Sequence, residues 1–454
     1  MYRINSDKEE YFEIREVRNM SAESLKGKKV LILGGAFLNK QLVEAAKAMG
    51  IVTYVTDIDD VVHSPAKLIA DKYYDIDVYD IEAIIDLCKK EKIDGAIVGG
   101  YNAPYVPYIE VCRRMGYHCL ATMRQYELFS LKDNFTAMCK ACGADVPQSY
   151  QESDITEDFT AYPIIVKPVD RSGSKGQSVC YSFAEVKQAI AFSKESSPRK
   201  RVIIEEYLPA KKEMVVECLI KDGQVYESMI TDFYYGSAEL GVDRVFKLIT
   251  VSKWSISYYY EKLRPQVEKM IRYAGLENGI CIVQGKKDKD KFKFYDAELR
   301  RAGCLAAEVI KKEYGISTSD ILVKFSLTGK MDIDTNRRFY EFNHKIVVVW
   351  YIILKPGKIC KVSDFEHIRA SKNYVSFEER LRVGDAVPAT GDVQQLFGVF
   401  AFVFDNEEEL NDFWEKELLD IVVLDENGNN LVIDDIDRCR QILKYRESEI
   451  SERV

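Results

Sequence analysis

The alternation of apolar strands and amphipathic helices between residues 26 and 122 constrains the fold most strongly. The run KKVLILGGAFLNKQLVEAAKAMG predicts a buried strand, a glycine turn and a helix that ends at Gly50. VTYVTD and DGAIVGG predict further strands, IEAIIDLCKKEK and PYIEVCRRMG predict further helices, and a short final strand is expected after them. Such alternation is typical of a parallel, doubly wound sheet. The ligand crevice of this sheet is expected at the strand carboxyl ends, near Gly34, Asp57 and residues 99–102.

The glycine turn does not predict a dinucleotide site. GGAFLN lacks the GxGxxG spacing in which the backbone approaches a pyrophosphate closely. Two roles stay open for this edge of the sheet: it shapes a pocket for an acceptor substrate, or it is purely structural.

A different pattern begins near Met123, where long antiparallel strands replace the alternation. RVIIEEYLPAKKEMVVECLIKDGQVYESMI predicts strand runs joined by a DG turn at Asp222 and Gly223, the usual signal of a hairpin. Further on, strands are expected around LKPGKI and GVFAFVF, a helix at EEELNDFWEKELL and a hairpin at VVLDENGNNLVI. We therefore predict an α/β and α+β chain of four segments: a polar extension over 1–25, a doubly wound domain over 26–122, an antiparallel domain over 123–335 and a small capping α+β domain over 336–454.

Charge and cysteine usage exclude several classes of protein. A net charge of -9 argues against a nucleic-acid partner, which would favour a basic surface. The longest apolar run, Ile346–Leu354, is about half of what a membrane helix needs, and the polar N-terminus does not resemble a signal peptide. Eleven scattered cysteines predict a reducing, cytoplasmic location. Cys139 and Cys142 form a CxxC inside a helical pattern, where we expect buried thiols and no zinc site.

The segment PIIVKPVDRSGSKG combines an apolar strand with a loop of small and basic residues. Ile164–Val166 suits a buried strand, and Lys167 at its end is a fixed cation. The small residues that follow supply donors on a backbone that bends freely, so the loop can fold over a triphosphate. The GxxxxGK[ST] spacing of a P-loop is missing. An ordinary surface hairpin is the alternative.

A second hairpin carries candidate metal ligands. ICIVQG and FKFYDAELRRAG predict paired strands whose facing positions include Gln284, Asp296 and Glu298. Asp296, Glu298 and Arg300 alternate along their strand and therefore share one face. Mg²⁺ commonly takes one or two carboxylates together with phosphate oxygens, and an arginine suits the anion that receives a phosphoryl group. An exposed strand with alternating charges is the alternative.

Together these segments resemble the ATP-grasp superfamily, and most closely its carbamoyl-phosphate-synthase-like and biotin-carboxylase-like carboxylate–amine ligases. The resemblance rests on LKDNF, on the strand-lysine-proline before the glycine loop and on DAELR in place of an ExNxR strand. It covers nearly the whole chain after residue 25. It implies a doubly wound pre-ATP-grasp domain, a central ATP-grasp domain and a C-terminal domain.

The resemblance also implies roles for individual residues. The nucleotide-binding positions that match are Lys132, Lys167, Ser172, Gly173, Ser174, Lys175, Gly176, Glu205, Glu206, Tyr207, Leu208 and Glu213. In this set Lys132 and Lys167 would bind the α- and β-phosphates, and the loop around Ser172–Gly176 would cover the γ-phosphate. Residues 205–208 would hold adenine, and Glu213 would bind the ribose. Gln284, Asp296 and Glu298 match metal ligands, and Arg300 matches an arginine that binds substrate and intermediate.

This sequence departs from the family pattern at two places. The motif ExNxR reads Asp296-Ala-Glu298-Leu-Arg300, so the first carboxylate is shorter and a neutral asparagine is replaced by an anion. The glycine pair that often follows the arginine is reduced to Gly303 and Cys304. A second ExN, within FYEFNHK at 339–345, lies too far downstream and lacks a glutamine strand before it.

The resemblance implies an ATP-dependent carboxylate–amine ligase that forms an amide through an acyl phosphate and releases ADP and phosphate. Catalytic roles fall to Lys167 and Arg300, and the cofactors are ATP and Mg²⁺, with Mn²⁺ as the alternative metal. A degenerate ATP-binding protein and a kinase of a small acid or carbamate are the alternatives. The expected partners are a small carboxylate and an amine, with neither nucleic acid nor membrane, and a second copy of the chain in a homodimer. The aromatic and basic segment Asp232–Lys253 either binds the acceptor or is a solvated loop.

Overall fold

The computed structural model describes most of the chain after residue 24. The described ranges are 25–100, 104–209, 212–236, 246–288, 290–303, 305–335, 345–416, 421–433 and 436–445. Nearly all of the predicted N-terminal extension lies outside them. Parts of other segments discussed above also lie outside them: residues 101–102, residues 237–245, Cys304 and residues 339–344.

The helices within these ranges are numbered along the chain. They are α1 (Phe37–Ala48), α2 (Pro65–Ile69), α3 (Ile81–Glu91), α4 (Tyr105–Met115), α5 (Met123–Ser130), α6 (Lys132–Ala141), α7 (Phe183–Ser196), α8 (Lys253–Tyr258), α9 (Arg264–Ala274), α10 (Ala306–Tyr314), α11 (Thr318–Thr328), α12 (Glu366–Arg369), α13 (Glu407–Lys416) and α14 (Ile436–Tyr445). A π-helical segment, Tyr259–Leu263, joins α8 to α9.

The first sheet is parallel, as the alternating pattern predicts. Its strands are β1 (Lys29–Leu33), β2 (Val52–Thr56), β3 (Lys72–Tyr74) and β4 (Gly95–Val98), in the spatial order β3-β2-β1-β4. The residues of β1 and β4 are almost all buried on both faces, which their continuous apolar sequences predict. β3 is short and largely exposed, so its sequence carries too little apolar pattern to identify it.

The prediction of a short final strand after α4 is wrong. Residues 117–122 are within the described ranges and contain no strand. Leu120 and Ala121 are buried, so their apolar character is explained by burial without strand pairing. The Leu120 N–H donates to the Tyr108 hydroxyl at 3.1 Å. A side chain therefore satisfies a backbone group that a neighbouring strand would otherwise bind.

The central sheet is largely antiparallel and has eight strands. They are β9 (Lys212–Lys221), β10 (Gln224–Tyr235), β11 (Phe246–Thr250), β12 (Gly279–Asp288), β13 (Lys291–Glu298), β14 (Ile346–Ile353), β17 (Tyr374–Glu379) and β19 (Leu396–Phe404), in the order β13-β12-β9-β10-β11-β14-β19-β17. The predicted DG hairpin between β9 and β10 is confirmed. Asp222 and Gly223 have φ angles of 51° and 70°, as a tight hairpin turn requires.

Three of these eight strands, β14, β17 and β19, lie after residue 335. They continue the sheet of the central segment, and the smaller pairs β15 (Gly357–Lys358) with β18 (Ala386–Val387) and β16 (Lys361–Val362) with β20 (Val423–Leu424) lie beside them. A separate apolar core, which includes Trp350, Phe400 and Trp414, packs on this half. The predicted strands and the helix α13 of this region are confirmed. The segment limits 123–335 and 336–454 stay predictions.

A small four-stranded sheet stands apart from the central one and carries the glycine loop. Its strands are β5 (Ser149–Tyr150), β6 (Ile164–Pro168), β7 (Ser178–Cys180) and β8 (Val202–Glu206), in the order β5-β8-β6-β7. It has an apolar core of its own, in which Ile164 and Val166 pack against Val186 and Ile190 of α7. The loop between β6 and β7 is therefore mounted on a small, separately packed unit.

None of the described helices combines the length and the apolar character that crossing a bilayer requires.

Candidate active site

Lys167 is buried at the end of β6 and paired with a buried carboxylate. It is 5% exposed, and its Nζ lies 2.7 Å from Oε2 of Glu205, which is 1% exposed. Strand pairing explains the contact. The antiparallel neighbours β6 and β8 place Ile165 opposite Glu205. Lys167 lies two residues further along β6, on the same face of the sheet, and its side chain reaches Glu205 diagonally. The Nζ also lies 5.3 Å from the centre of the Tyr295 ring. The lysine predicted as a fixed cation is therefore held between two sheets.

Lys132 connects three segments that are distant in sequence. It is the first residue of α6, and its side chain is largely buried. Its Nζ donates to the carbonyl of Arg171, at the start of the glycine loop, at 2.9 Å. The same Nζ lies 3.1 Å from Oδ2 of Asp296 on β13. The structure thus brings the predicted phosphate lysine, the predicted loop and a predicted metal ligand together.

The glycine loop has a fixed base and an open tip. At the base, the Gly176 carbonyl accepts a hydrogen bond from Ser193 Oγ at 2.5 Å, and Arg171 Nε donates to the Ser196 carbonyl at 2.7 Å. At the tip, Gly173 has a φ of 65° and a Cβ added there would meet nothing within 4 Å. Ser174 follows with a φ of 60°. The backbone of the tip therefore takes conformations that favour glycine and has room to approach a ligand.

The candidate metal ligands lie on the predicted hairpin of β12 and β13. Gln284 is opposite Asp296, and Ile282 is opposite Glu298, so the predicted facing of Gln284 and Asp296 is confirmed. Within the described ranges no group of three or more His, Cys, Asp or Glu residues is arranged to hold a metal ion. Two carboxylates and an amide oxygen suit Mg²⁺, which takes the rest of its oxygen ligands from phosphate or water.

The residues predicted to hold adenine divide between two surroundings. Glu205 turns inward to Lys167, whereas Glu206 Oε1 accepts from the Gln148 N–H at 2.8 Å and from Lys293 Nζ at 2.6 Å. The Tyr207 N–H donates to the Pro163 carbonyl at 3.1 Å, and Leu208 is buried. Glu205 is therefore placed to orient Lys167. The contact of this segment with a base stays a prediction.

Glu213, the predicted ribose ligand, is a buried carboxylate at the start of β9. It is 1% exposed, and its Oε2 accepts a hydrogen bond from the Tyr235 hydroxyl. Burial raises the pKa of Glu213, and the positive charge of Lys286 acts in the opposite direction.

Lys286, Tyr235 and Tyr295 also belong to this site, although sequence reasoning did not identify them there. Lys286 Nζ lies 4.9 Å from the centre of the Tyr235 ring and 5.8 Å from that of Tyr295. Burial lowers the pKa of Lys286, the Glu213 carboxylate raises it, and the Lys167 charge lowers it further. Strand alternation from Gln284 could have identified Lys286. Tyr295 lies at a β-bulge, where the register shifts between Gln284 and Gly285, and no sequence signal marked it.

Arg300 lies where the central sheet meets the first one. Its Nη2 pairs with Oε2 of Glu298, and its Nη1 donates to the Arg301 carbonyl at 2.8 Å. A Cβ added to Gly303 would lie 3.5 Å both from Arg300 Nη1 and from the carbonyl of Gly100, which follows β4. The predicted crevice at the carboxyl end of the parallel sheet is therefore next to the predicted substrate arginine.

The CxxC cysteines are buried thiols, as predicted. Cys139 and Cys142 are buried and unbridged, and burial raises the pKa of both. The other cysteines in the described ranges are also free.

Comparison with known proteins shows which fold the chain shares. Residues 131–231 match the family described as carbamoyl-phosphate synthase L chain, ATP binding domain. The solved L-amino acid ligase from Bacillus licheniformis is 15% identical, with a TM-score of 0.70, over 88% of this chain and 100% of that one. The biotin carboxylase domain dimer of the Hydrogenobacter thermophilus 2-oxoglutarate carboxylase, solved with MgADP, ADP and bicarbonate, is 15% identical, with a TM-score of 0.70, over 94% of this chain and 95% of that one.

The protein has the ATP-grasp fold. The expected fold class is therefore confirmed, since these similarities extend over most of the chain. Among curated proteins, the formate-dependent phosphoribosylglycinamide formyltransferase of Bacillus velezensis is 30% identical over 197 residues, which are 42% of this chain and 50% of that protein. The chain thus spans about half the length of the curated relatives it matches.

Proposed function

We propose that this ATP-grasp protein is a ligase that uses ATP to join a small carboxylate to an amine. One observation carries the proposal: three separate segments, which carry Lys132, Lys167 and the run Asp296–Arg300, come together beside the glycine loop. Cations for a polyphosphate, oxygens for Mg²⁺ and a guanidinium for an acid are thereby within one site. The ligase and carboxylase relatives support the same reaction class.

In the proposed reaction, a carboxylate oxygen of the acid attacks the γ-phosphorus of ATP, and ADP leaves. The amine nitrogen then attacks the carbonyl carbon of the acyl phosphate, phosphate leaves and the nitrogen loses a proton. Lys132 and Lys167 bind the phosphates, and Arg300 orients the acid and its acyl phosphate. The glycine loop excludes water from the reactive anhydride. Mg²⁺ bound by Asp296 and Glu298 would neutralise charge that develops on the transferred group.

Trapping of the acyl phosphate tests this proposal. The protein is incubated with Mg·ATP and pools of small acids, formate included, and with hydroxylamine, which converts an acyl phosphate to a hydroxamate. We expect hydroxamate and ADP to form together in the presence of an acid, and amide to replace hydroxamate when the right amine is added. ADP and acyl phosphate without any amide would favour a kinase. ATP binding without ADP release in any pool would favour a degenerate ATP-binding protein.

The test variant and its control both lie in the unit formed by the small four-stranded sheet and α7. Lys167→Met combined with Glu205→Gln removes the phosphate lysine without leaving its buried carboxylate charged, and should abolish hydroxamate formation. Lys187→Met removes an exposed lysine of α7 and should leave it unchanged. Replacing Mg²⁺ by Mn²⁺ tests the alternative metal.

We further propose a cytoplasmic location, which the free thiols of the described residues support. The homodimer stays a prediction that sedimentation would test.

A further inference from the structure

Lys286 is a charged residue of the candidate site for which neither the family resemblance nor the proposed reaction provides a role. It follows Gln284 by two positions on β12, so the two side chains lie on the same side of the strand. Placing a lysine, partly buried, beside aromatic rings costs free energy, because its ammonium loses part of its hydration. A function of the ammonium in the site would explain why a lysine occupies this position.

Two tyrosine rings lie next to Lys286. The Tyr235 ring is 4.9 Å from Nζ, and the hydroxyl of this tyrosine donates to Glu213. The Tyr295 ring is 5.8 Å from Nζ, and the same ring lies 5.3 Å from Lys167 Nζ. Lys286 is therefore connected through one tyrosine to the buried carboxylate Glu213 and through the other to the buried ammonium of Lys167.

We propose that Lys286 is a third lysine of the nucleotide site and that its ammonium binds the phosphate attached to the ribose. The inference rests on the proposed function, in which Lys167 binds phosphate and Glu213 binds the ribose. The α-phosphate is the group that joins these two parts of the nucleotide. A cation connected with both Glu213 and Lys167 through these tyrosines is therefore placed to reach this phosphate.

The charges around Lys286 favour an anion at this point. Lys167 and Lys286 lie on the same tyrosine ring, and the carboxylate that contacts Lys167 directly is Glu205. Bringing a phosphate between the two ammonium groups replaces their mutual repulsion by charge-assisted hydrogen bonds. The faces of Tyr235 and Tyr295 hold the Lys286 ammonium in place by cation–π attraction before the nucleotide arrives.

The next residue on the strand provides a matched control. Lys287 carries the same charge, but its Nζ lies 5.6 Å from the Trp254 ring and 5.9 Å from the Tyr258 ring, on the other side of β12. Lys287→Met therefore removes an equal charge from the same strand without removing a group from the site.

The experiment measures affinities for Mg·ATP, ADP, AMP and adenosine by competition against a fluorescent ATP analogue. Wild type, Lys286→Met, Lys286→Arg and Lys287→Met are compared, and thermal unfolding checks that each is folded. We expect Lys286→Met to bind ATP, ADP and AMP about 10- to 100-fold more weakly, the effect of losing one charge-assisted hydrogen bond. Adenosine should bind as it does to wild type. Lys286→Arg should retain most of the AMP affinity, and Lys287→Met should behave as wild type.

Three results would overturn the proposal. Unchanged AMP affinity in Lys286→Met would show that the ammonium does not bind the α-phosphate. An equal loss for adenosine would assign Lys286 to the nucleoside. A loss in Lys286→Arg as large as in Lys286→Met would show that shape matters and charge does not. If Lys286→Met does not fold, Lys286→Gln takes its place in these comparisons. Failure of wild type to bind ATP at all would instead contradict the proposed function.

Discussion

At the scale of single residues, the site contains one buried ion pair, and we expect its removal to change both the stability of the fold and the binding of nucleotide. Lys167 and Glu205 are 2.7 Å apart and almost fully buried. Lys167→Met leaves the Glu205 carboxylate without its counter-charge, so we expect the free energy of unfolding to fall by about 3–5 kcal/mol. Urea unfolding measures this change. Adding Glu205→Gln should restore most of the stability without restoring nucleotide binding, and a single variant as stable as wild type would contradict the importance of the pair.

Asp296 is predicted to set the dependence on magnesium. Asp296→Asn keeps the size of the side chain and removes the charge that we assign to the metal. We expect the Mg²⁺ concentration that half-saturates ADP release to rise at least about tenfold. Asp288→Asn is the control, because Asp288 lies on the same hairpin but contacts Lys293. Equal magnesium requirements in wild type and Asp296→Asn would remove Asp296 from the metal site.

At the scale of elements, the end of α3 is fastened to the first sheet by one carboxylate. Glu91 accepts from Lys72 Nζ and Tyr74 Oη, each at 2.9 Å, and from Tyr54 Oη at 3.1 Å. These bonds, that from Lys72 foremost, lower the pKa of Glu91 from 4.5 to about 2. A carboxyl with a depressed pKa stabilises the folded state fully above its unfolded pKa, and this stabilisation is lost as the pH falls through the folded value.

We therefore expect Glu91→Gln to be less stable than wild type at neutral pH. The difference should shrink as the pH falls from 4.5 towards 2, the interval between the two pKa values. Urea midpoints followed by circular dichroism at several pH values measure it. A difference that does not change with pH would mean that the charge of Glu91 contributes nothing.

Elements with strong local signals could be predicted from the sequence, and those fixed by tertiary contacts could not. The strands β1 and β4 and the DG turn follow from local patterns. The bulge that turns Tyr295 towards Lys167 depends on the register of β12 and β13, and neither strand encodes it alone. Likewise, the contact of Glu205 with Lys167 depends on the pairing of β6 with β8, which neither strand encodes alone.

At the scale of the whole molecule, one buried arginine joins the region of the first, parallel sheet to the end of the β12–β13 hairpin. Arg301 is 1% exposed, and it donates to Ser319 Oγ, to Gln41 Oε1 and, at 3.3 Å, to the Leu38 carbonyl. Leu38 and Gln41 belong to α1, so the residue after Arg300 is anchored to the first region.

Arg301→Met should lower the free energy of unfolding by about 2–4 kcal/mol, because it leaves buried acceptors without a donor. It should also raise the KM for the acid more than that for ATP, because it loosens Arg300. Calorimetric unfolding and steady-state kinetics measure the two effects. Arg124→Met removes an exposed arginine of α5 and should change neither. An Arg301→Met protein with normal stability would contradict the proposed connection.

The architecture shows why segment boundaries are harder to predict than elements. The strands after residue 335 have clear apolar patterns, but their place in the central sheet depends on the pairing of β11 with β14. That pairing joins residues about a hundred positions apart, which no local pattern reports. The helix α11 is a second example, because its sequence position lies within the predicted central segment but it packs against β4 of the first sheet. The contact is close: a Cβ added to Gly95 of β4 would lie only 2.3 Å from the carbonyl oxygen of Ser326 in α11.

The binding of Mg·ATP, measured by titration calorimetry, tests the central claim most directly. The proteins to compare are wild type, Lys187→Met and the stabilised pair variant Lys167→Met with Glu205→Gln. We predict binding in the micromolar range, about -8 kcal/mol, for wild type and Lys187→Met. The pair variant should show no measurable heat of binding while remaining folded. Absence of binding in wild type, or wild-type affinity in the pair variant, would contradict the assignment of this site to ATP.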